Sequence, residues 1–269
     1  MTKRIGVGQF FAWEGGCLFI GHHDRPLPLH AHQSMQFVVA SAGDHKVRAS
    51  DREPWATYSI AAIGTRQPHS IDVTASDYGA VIFVEPETRN GRAITQRCAS
   101  GITEVGTSAL REISDAMFGA WLHERKDETV ANARRLVTTL GATVDSADVT
   151  DPRIMSAIVY INQHLDRAIT LNEVASYACL SPSRFRHVFG EQTGMGLRPY
   201  ILWRRFLLVW ELLMNGRNLS EAAHAAGFAD AAHLTRTSVK AFGFAPSGIQ
   251  LLATPDPKAM LAESHPKST

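Results

Sequence analysis

A helical pattern that occurs twice in the last hundred residues restricts this chain more than any other feature. The first copy, TLNEVASYACLSPSRFRHVFGEQTG, runs from Thr170 to Gly194; the second, SEAAHAAGFADAAHLTRTSVKAFG, runs from Ser220 to Gly243. In each, a short helix of small residues meets a tight turn. A second helix follows, with Arg and His on one face and apolar residues on the other. That is the layout of a helix-turn-helix, whose second helix lies in the DNA major groove. Two copies about 50 residues apart make a chance match improbable.

The helix starts carry their own signals. Thr170 with Glu173 three residues on reads as a capping box. Ser181 caps the next helix, with Pro182 at its first turn, where a missing N–H costs nothing. Phe185, Val188 and Phe189 then share one face and belong to the core. Ser183, Arg184, Arg186 and His187 fall on other faces near the N-terminus, the end that meets base edges. In the second copy Ser220 reads as the cap of the alanine-rich helix and Gly227-Phe228 as the turn. Asp230 reads as the cap of the helix that carries Ala232, His233, Arg236 and Lys240. Leu234 points inward. RPYILWRRFLLVWELLMNG reads as one long apolar helix joining the copies. Arg186 and Arg236 can each donate two bonds to a guanine, and Ala232 offers thymine only a methyl contact. Arg204 and Arg205 suit helix packing or phosphate contact better than base reading.

These residues resemble the DNA-binding domain of the AraC/XylS family of bacterial transcription regulators. The match covers about 170–250 and includes Leu171, Ala175, Ser181, Phe185, Phe189, Gly194, Tyr200, Arg205, Ala226-Gly227-Phe228, Leu234, Arg236, Phe242-Gly243 and Pro246. The resemblance implies two recognition helices in successive major-groove segments. Base contacts carried over by position are Ser183, Arg186 and His187, then Ala232, His233 and Arg236. Ser238, Leu197 and Ile249 depart from the family pattern. Ser238 in particular stands where a core aromatic is usual, so a looser second unit is expected.

Residues 5–85 read as β-rich. QFVVA at 36–40, VIFVE at 81–85 and the segments around Ile20, Val47 and Ile60 are short apolar runs. Pro26, Pro28, Gly43, Pro54, Gly64 and Pro68 punctuate them. Within this region His30-Ala31-His32, then Gln36 and Gly43, has the spacing of the first cupin motif, with Gln36 in the place of a glutamate. His69 stands where the second cupin motif places its histidine, although Gly64 and Arg66 replace the usual Pro and Gly. The stretch about 25–85 thus resembles the cupin-like effector domain that this regulator family often carries. Alternation puts His30 and His32 on one side of a strand. With His69 they can form a three-imidazole site, to which Gln36 adds a carbonyl oxygen. Neutral imidazoles suit zinc, nickel, iron or copper. The other reading is a metal-free pocket in which the same residues hydrogen-bond an organic effector. His22, His23 and His45 read as surface or turn residues.

From residue 103 the period becomes helical. Leu110, Ile113, Met117 and Trp121, then Val130, Ala133, Leu136, Val137 and Leu140, form two amphipathic helices. They either pack on the barrel or offer a homodimer surface. TVDSADVTDP at 143–152 is the best linker. The expected architecture is α+β with two domains: a cupin-like β-barrel at 1–100, a helical hairpin and linker at 101–148, an all-α double helix-turn-helix at 149–252, and a flexible tail at 253–269.

Charge agrees with this division. Residues 1–152 carry 15 Lys+Arg against 18 Asp+Glu, whereas 153–250 carry 10 against 6, a basic module behind a mildly acidic one. Three dispersed cysteines, Cys17, Cys98 and Cys179, give neither a disulfide framework nor a CxxC pattern. With no signal peptide or membrane span in view, a reduced cytoplasm is expected. The implied partners are double-stranded promoter DNA, RNA polymerase if the outcome is activation, and a small-molecule or metal effector. A non-enzymatic regulator is the first expectation. The alternative is a metal-dependent cupin enzyme fused to a DNA-binding module.

Overall fold

Side chains alternate between two faces along a β-strand, and that alternation organises the N-terminal half. The computed structural model describes residues 4–98, 101–142 and 151–252. Nine strands come first: β1 (Gly6–Trp13), β2 (Gly16–His23), β3 (Leu27–His30), β4 (Met35–Ala40), β5 (His45–Arg48), β6 (Ala56–Tyr58), β7 (Ala61–Ile63), β8 (His69–Asp72) and β9 (Gly79–Val84). Helix α1 (Arg89–Arg97), strand β10 (Ile102–Glu104) and helices α2 (Ser108–Leu122) and α3 (Lys126–Gly141) follow. The C-terminal half holds α4 (Pro152–Gln163), α5 (Leu171–Tyr177), α6 (Pro182–Thr193), α7 (Leu197–Met214), α8 (Leu219–Ala225), α9 (Ala231–Phe242) and a last strand, β11 (Ile249–Leu251).

The strands do not close into the expected barrel. They form two open sheets, one of seven strands in the order β10-β7-β4-β9-β2-β1-β11 and one of four in the order β3-β8-β5-β6. On the large sheet, Leu18, Ile20, Met35, Phe37, Val39, Ile82 and Val84 face the helices and share a core with Leu110, Ile113, Met117, Trp121, Leu136 and Leu140. The helical pair therefore packs on the sheet, one of the two arrangements that its apolar stripes allow. Arg111 reinforces the seam by donating to the carbonyls of Ala40, Gly43 and Ser59. The alternate residues of the same strands face the other way. Val38, Ala40, Ala61 and Ile63 meet Val47 and Ile71 of the small sheet. Phe10, Cys17, Val81 and Phe83 meet Trp203, Phe206, Trp210 and Phe242 of the C-terminal half.

One face of the large sheet is thus covered partly by the small sheet and partly by the helical domain. The C-terminal half is also not purely helical. β11 runs parallel to β1, pairing Ile249 with Gly6 and Leu251 with Gly8, and so completes the N-terminal sheet. Residues 143–150 of the expected linker, and the tail at 253–269, lie outside the described residues. Among the described residues, no helix is long and apolar enough to cross a membrane.

Candidate nucleic-acid interface and histidine site

The first unit is α5, a turn and α6. Thr170 Oγ1 accepts from Glu173 N (3.2 Å) and Glu173 Oε2 accepts from Thr170 N (3.3 Å), which forms the capping box that the sequence indicates. Ser181 Oγ accepts from Arg184 N (3.3 Å), with Pro182 in the first turn of α6. Phe185, Val188 and Phe189 are buried, while Ser183, Arg184, Arg186 and His187 are exposed. The core of this unit (Ile154, Ile161, Val174, Phe185, Phe189 and Tyr200 among others) comes entirely from the C-terminal half.

The second unit, α8, a turn and α9, repeats this layout with one correction. The cap of α8 is Asn218, not Ser220; Asn218 Oδ1 accepts from Glu221 N (3.0 Å) and Glu221 returns the bond to Asn218 N. Ser220 lies inside the helix, where its side chain cannot reach the orphan amides. Asp230 caps α9 as expected. Ala232, His233, Arg236 and Lys240 are exposed, and Leu234 is buried. His233 is also tied to its own turn, because Nδ1 accepts from Ala229 N (3.3 Å) and the ring stands edge-on to Phe228. Ser238 does not loosen the unit. Fully buried, it donates to the Phe244 carbonyl (2.8 Å) and pins the chain leaving α9.

The two turns share a backbone but not a residue. Gly227 has φ +72, and a side chain there would stand 2.2 Å from the Leu165 carbonyl. Its counterpart Cys179 has φ 52, a left-handed conformation that a side chain resists. Cys179→Gly is therefore expected to raise stability by about 0.5–1 kcal/mol, the strain relieved less the extra unfolded-state freedom of glycine. Urea unfolding would register it as a higher midpoint, and a lower midpoint would contradict it.

Helix α7 joins the units and carries the contact with the N-terminal domain. Arg204 forms an ion pair with the buried Glu85, and Tyr200 donates to Glu87 (2.8 Å). Burial, and then the neighbouring Glu87, push the Glu85 carboxyl upward against the pull of Arg204. Sequence reasoning gave Glu85 and Glu87 no role. The available signal was an acid at the end of the apolar run VIFV.

The histidines converge as expected. They do not share a strand, however: β3 ends at His30, His69 begins β8 and pairs with His30, and His32 lies beyond β3 in the connection to β4, which supplies Gln36. The turn of the chain and not strand alternation thus brings His32 to the site. All four are buried, and one ring nitrogen from each histidine lies within 4.8 Å of the other two. Each Nδ1 contacts a backbone carbonyl: His30 with Pro28 (2.8 Å), His32 with Ser34 (2.9 Å) and His69 with Gln67 (2.8 Å). A carbonyl can only accept, so each neutral ring carries its proton on Nδ1 and offers a lone pair at Nε2. Gln36 stands between two of those lone pairs, with Oε1 2.6 Å from His32 Nε2 and Nε2 3.1 Å from His69 Nε2. Burial holds the rings neutral and moves His32 down to about 3. His45, expected on the surface or in a turn, is instead buried on β5 beside Tyr58, and His22 and His23, expected there too, are half-buried at the end of β2.

Two of the spaces between the domains border the histidine site. The smaller, about 30 Å³, is bounded by His30, Gln36, Phe83, Trp210, Phe242 and Phe244. The larger, about 600 Å³, has a floor of Leu202, Trp203 and Phe206 and a margin that includes Arg198, Arg236 and Lys240.

Residues 174–250 match the family described as "Helix-turn-helix domain". The chain is 30% identical over 92 residues to the probable transcriptional regulator LumQ of Photobacterium leiognathi, covering 34% of this chain and 37% of that one. It is 32% identical over 99 residues to the arabinose operon regulatory protein of Escherichia coli K12, covering 36% and 34%. The chain thus spans about a third of the length of the curated relatives it matches. In overall fold it is similar to ToxT of Vibrio cholerae O395 (TM-score 0.55, 11% identity, 87% of this chain and 96% of that one). It also resembles an unsaturated-fatty-acid-bound ToxT of the same species (TM-score 0.51, 13% identity, 88% and 95%).

Proposed function

From the AraC-type helix-turn-helix domain that residues 174–250 form, we propose that this chain is a transcription regulator that binds promoter DNA through α6 and α9 in successive major-groove segments. The observation that carries this is the paired placement of Ser183, Arg184, Arg186 and His187 on α6, and of Ala232, His233, Arg236 and Lys240 on α9. Both sets are exposed on helices whose opposite faces are buried. Arg186 and Arg236 supply base discrimination, and Arg184 and Lys240 supply phosphate contact. The N-terminal domain, a cupin-like pair of sheets, receives the signal, which reaches the DNA-reading units across the domain contact. RNA polymerase is the further partner if the outcome is activation.

The larger interdomain space suits an amphipathic organic ligand, as the fatty acid bound by ToxT is, because its floor is apolar and its margin cationic. Ligand there would adjoin Arg236 and Lys240 directly. The competing reading, a metal-dependent enzyme, finds less support: Phe83, Phe242 and an amide surround the histidines, rather than a carboxylate able to move a proton.

Fluorescence anisotropy on DNA from upstream of the chain's own gene tests the proposal. Binding is expected to weaken about a thousandfold between 50 and 200 mM salt, as counterions released from phosphates are recaptured. Affinity indifferent to salt, or no binding, would reject it.

A further inference from the structure

The three imidazoles and Gln36 leave a mismatch that hydrogen bonding cannot remove. The three Nδ1 atoms are committed as donors to the Pro28, Ser34 and Gln67 carbonyls. His32 Nε2 and His69 Nε2 are then both acceptors, and one amide lies between them. With the amide as it stands, its oxygen faces the lone pair of His32. Turned over, its oxygen faces the lone pair of His69. Either way two acceptors oppose each other in a buried site, where an unsatisfied polar contact is costly. A proton would relieve one contact only by placing a charge beside Phe83, Phe242 and two further imidazoles.

A cation that accepts several lone pairs at once removes the mismatch entirely. We propose that His30, His32, His69 and Gln36 bind one divalent transition-metal ion, and that its occupancy is transmitted to the second helix-turn-helix unit through Phe242 and Gly243. The donor set, three imidazole nitrogens with one amide oxygen, selects zinc, nickel, cobalt or ferrous iron over calcium and magnesium, which take oxygen ligands. The Nδ1–H···O=C bonds are the outer shell that orients ligating imidazoles. The cavity of about 30 Å³ that His30 and Gln36 line has room for an ion or a water and is too small for an organic effector, whereas the larger interdomain space reaches the site only at His32.

Transmission follows from what closes the site. Gly243 ends α9 in a left-handed conformation, and a side chain there would lie 2.9 Å from the Pro28 carbonyl and 3.3 Å from His30 Nδ1. The Phe242 ring lies 6.0 Å from that of His32, measured between centroids. The C-terminal end of the second recognition helix therefore rests on the ring and the carbonyl that orient the site. The core of that unit is also completed by Phe10, Val81 and Phe83 of the N-terminal sheet, whereas the first unit has its own. Metal drawing His30 and His32 together moves the surface on which α9 ends. This second half rests on the DNA-binding reading; the first does not.

Full-length chain stripped by a chelator and titrated with Co²⁺ tests the site. One equivalent per chain is expected, with absorption bands of a low-coordinate nitrogen-rich site, displaced by Zn²⁺ and untouched by Ca²⁺. His30→Ala with His69→Ala should abolish binding. Gln36→Glu, which adds a charged ligand and keeps the fold, should tighten it and shift the bands. No stoichiometric binding, undiminished binding in the double variant, or an unmoved affinity in Gln36→Glu overturns the site. Transmission predicts slower hydrogen exchange at the Gly243 amide on loading, and DNA affinity changed by about fivefold or more. DNA carrying only the segment read by α6 should show no such change. Stoichiometric metal with unchanged exchange and unchanged affinity overturns transmission. A chain that binds metal but no DNA overturns the regulator reading and upholds the site, and one that binds DNA but no metal does the reverse.

Discussion

Arg204→Ala is expected to lower the unfolding free energy by about 3–5 kcal/mol, because it leaves the buried Glu85 carboxylate without its cation. Glu85 is 5% exposed and already shares its surroundings with Glu87. The pH dependence has a defined sign. A carboxyl whose folded pKa is raised holds its proton in the folded state, so the stability it confers is present at low pH and is lost as pH rises through that pKa. In the variant the loss should therefore be greatest at alkaline pH and smaller in mild acid, where Glu85 is neutral. Urea unfolding monitored by tryptophan fluorescence across pH would record this as one transition, since Phe83 and Trp203 share a core across the domain boundary. Replacing both partners, Glu85→Leu with Arg204→Met, should recover most of the loss, because a buried pair exchanged for apolar groups is often neutral. A loss under about 1 kcal/mol at every pH would mark the pair as no stronger than a surface bridge.

The second large effect belongs to DNA reading. Arg186→Ala is expected to cost about 1–3 kcal/mol in affinity for the specific site, and to relax discrimination at one base pair. Arg236→Ala should do the same in the other segment. A guanidinium that touches only phosphate behaves differently: its loss weakens all sequences alike and lowers the salt slope by about one. Binding isotherms for matched and singly mutated DNA, each at several salt concentrations, separate the two roles. A uniform loss with a reduced slope would reassign either arginine to the backbone. α9 begins with alanines, and His233 is engaged by Ala229 and Phe228. Removal of Arg236 should therefore leave the second unit with little base discrimination.

Legibility differed between the two halves for a physical reason. The caps at Thr170, Ser181 and Asp230 were readable because the bond they make reaches only two or three residues along the chain. Asn218 was missed in favour of Ser220 by the same rule, since both residue types cap well and only backbone geometry chooses between them. Ser238 read as a defect because its partner, the Phe244 carbonyl, comes from the loop beyond the helix. In the N-terminal half the apolar runs marked strands, but nothing in them indicated whether the sheets would close. His30, His32, Gln36 and His69 were found by spacing. Their shared lone-pair mismatch was not, because it depends on which carbonyl each Nδ1 meets.

The amino-acid sequence by itself determined the two helix-turn-helix units, the residues their recognition helices expose and the histidines that gather near the N-terminus. These follow from periodicity, capping and short-range spacing, which act over a few residues. Tertiary structure alone decided that β11 completes the N-terminal sheet, that Glu85 meets Arg204, and that the end of α9 closes the histidine site. Those contacts join residues more than a hundred positions apart. They rest on strand register, and a slip of one residue would turn Phe83 and Val81 away from the helices they now cover. Long-range register depends on the packing of the whole molecule, and so it is settled only when both halves fold together.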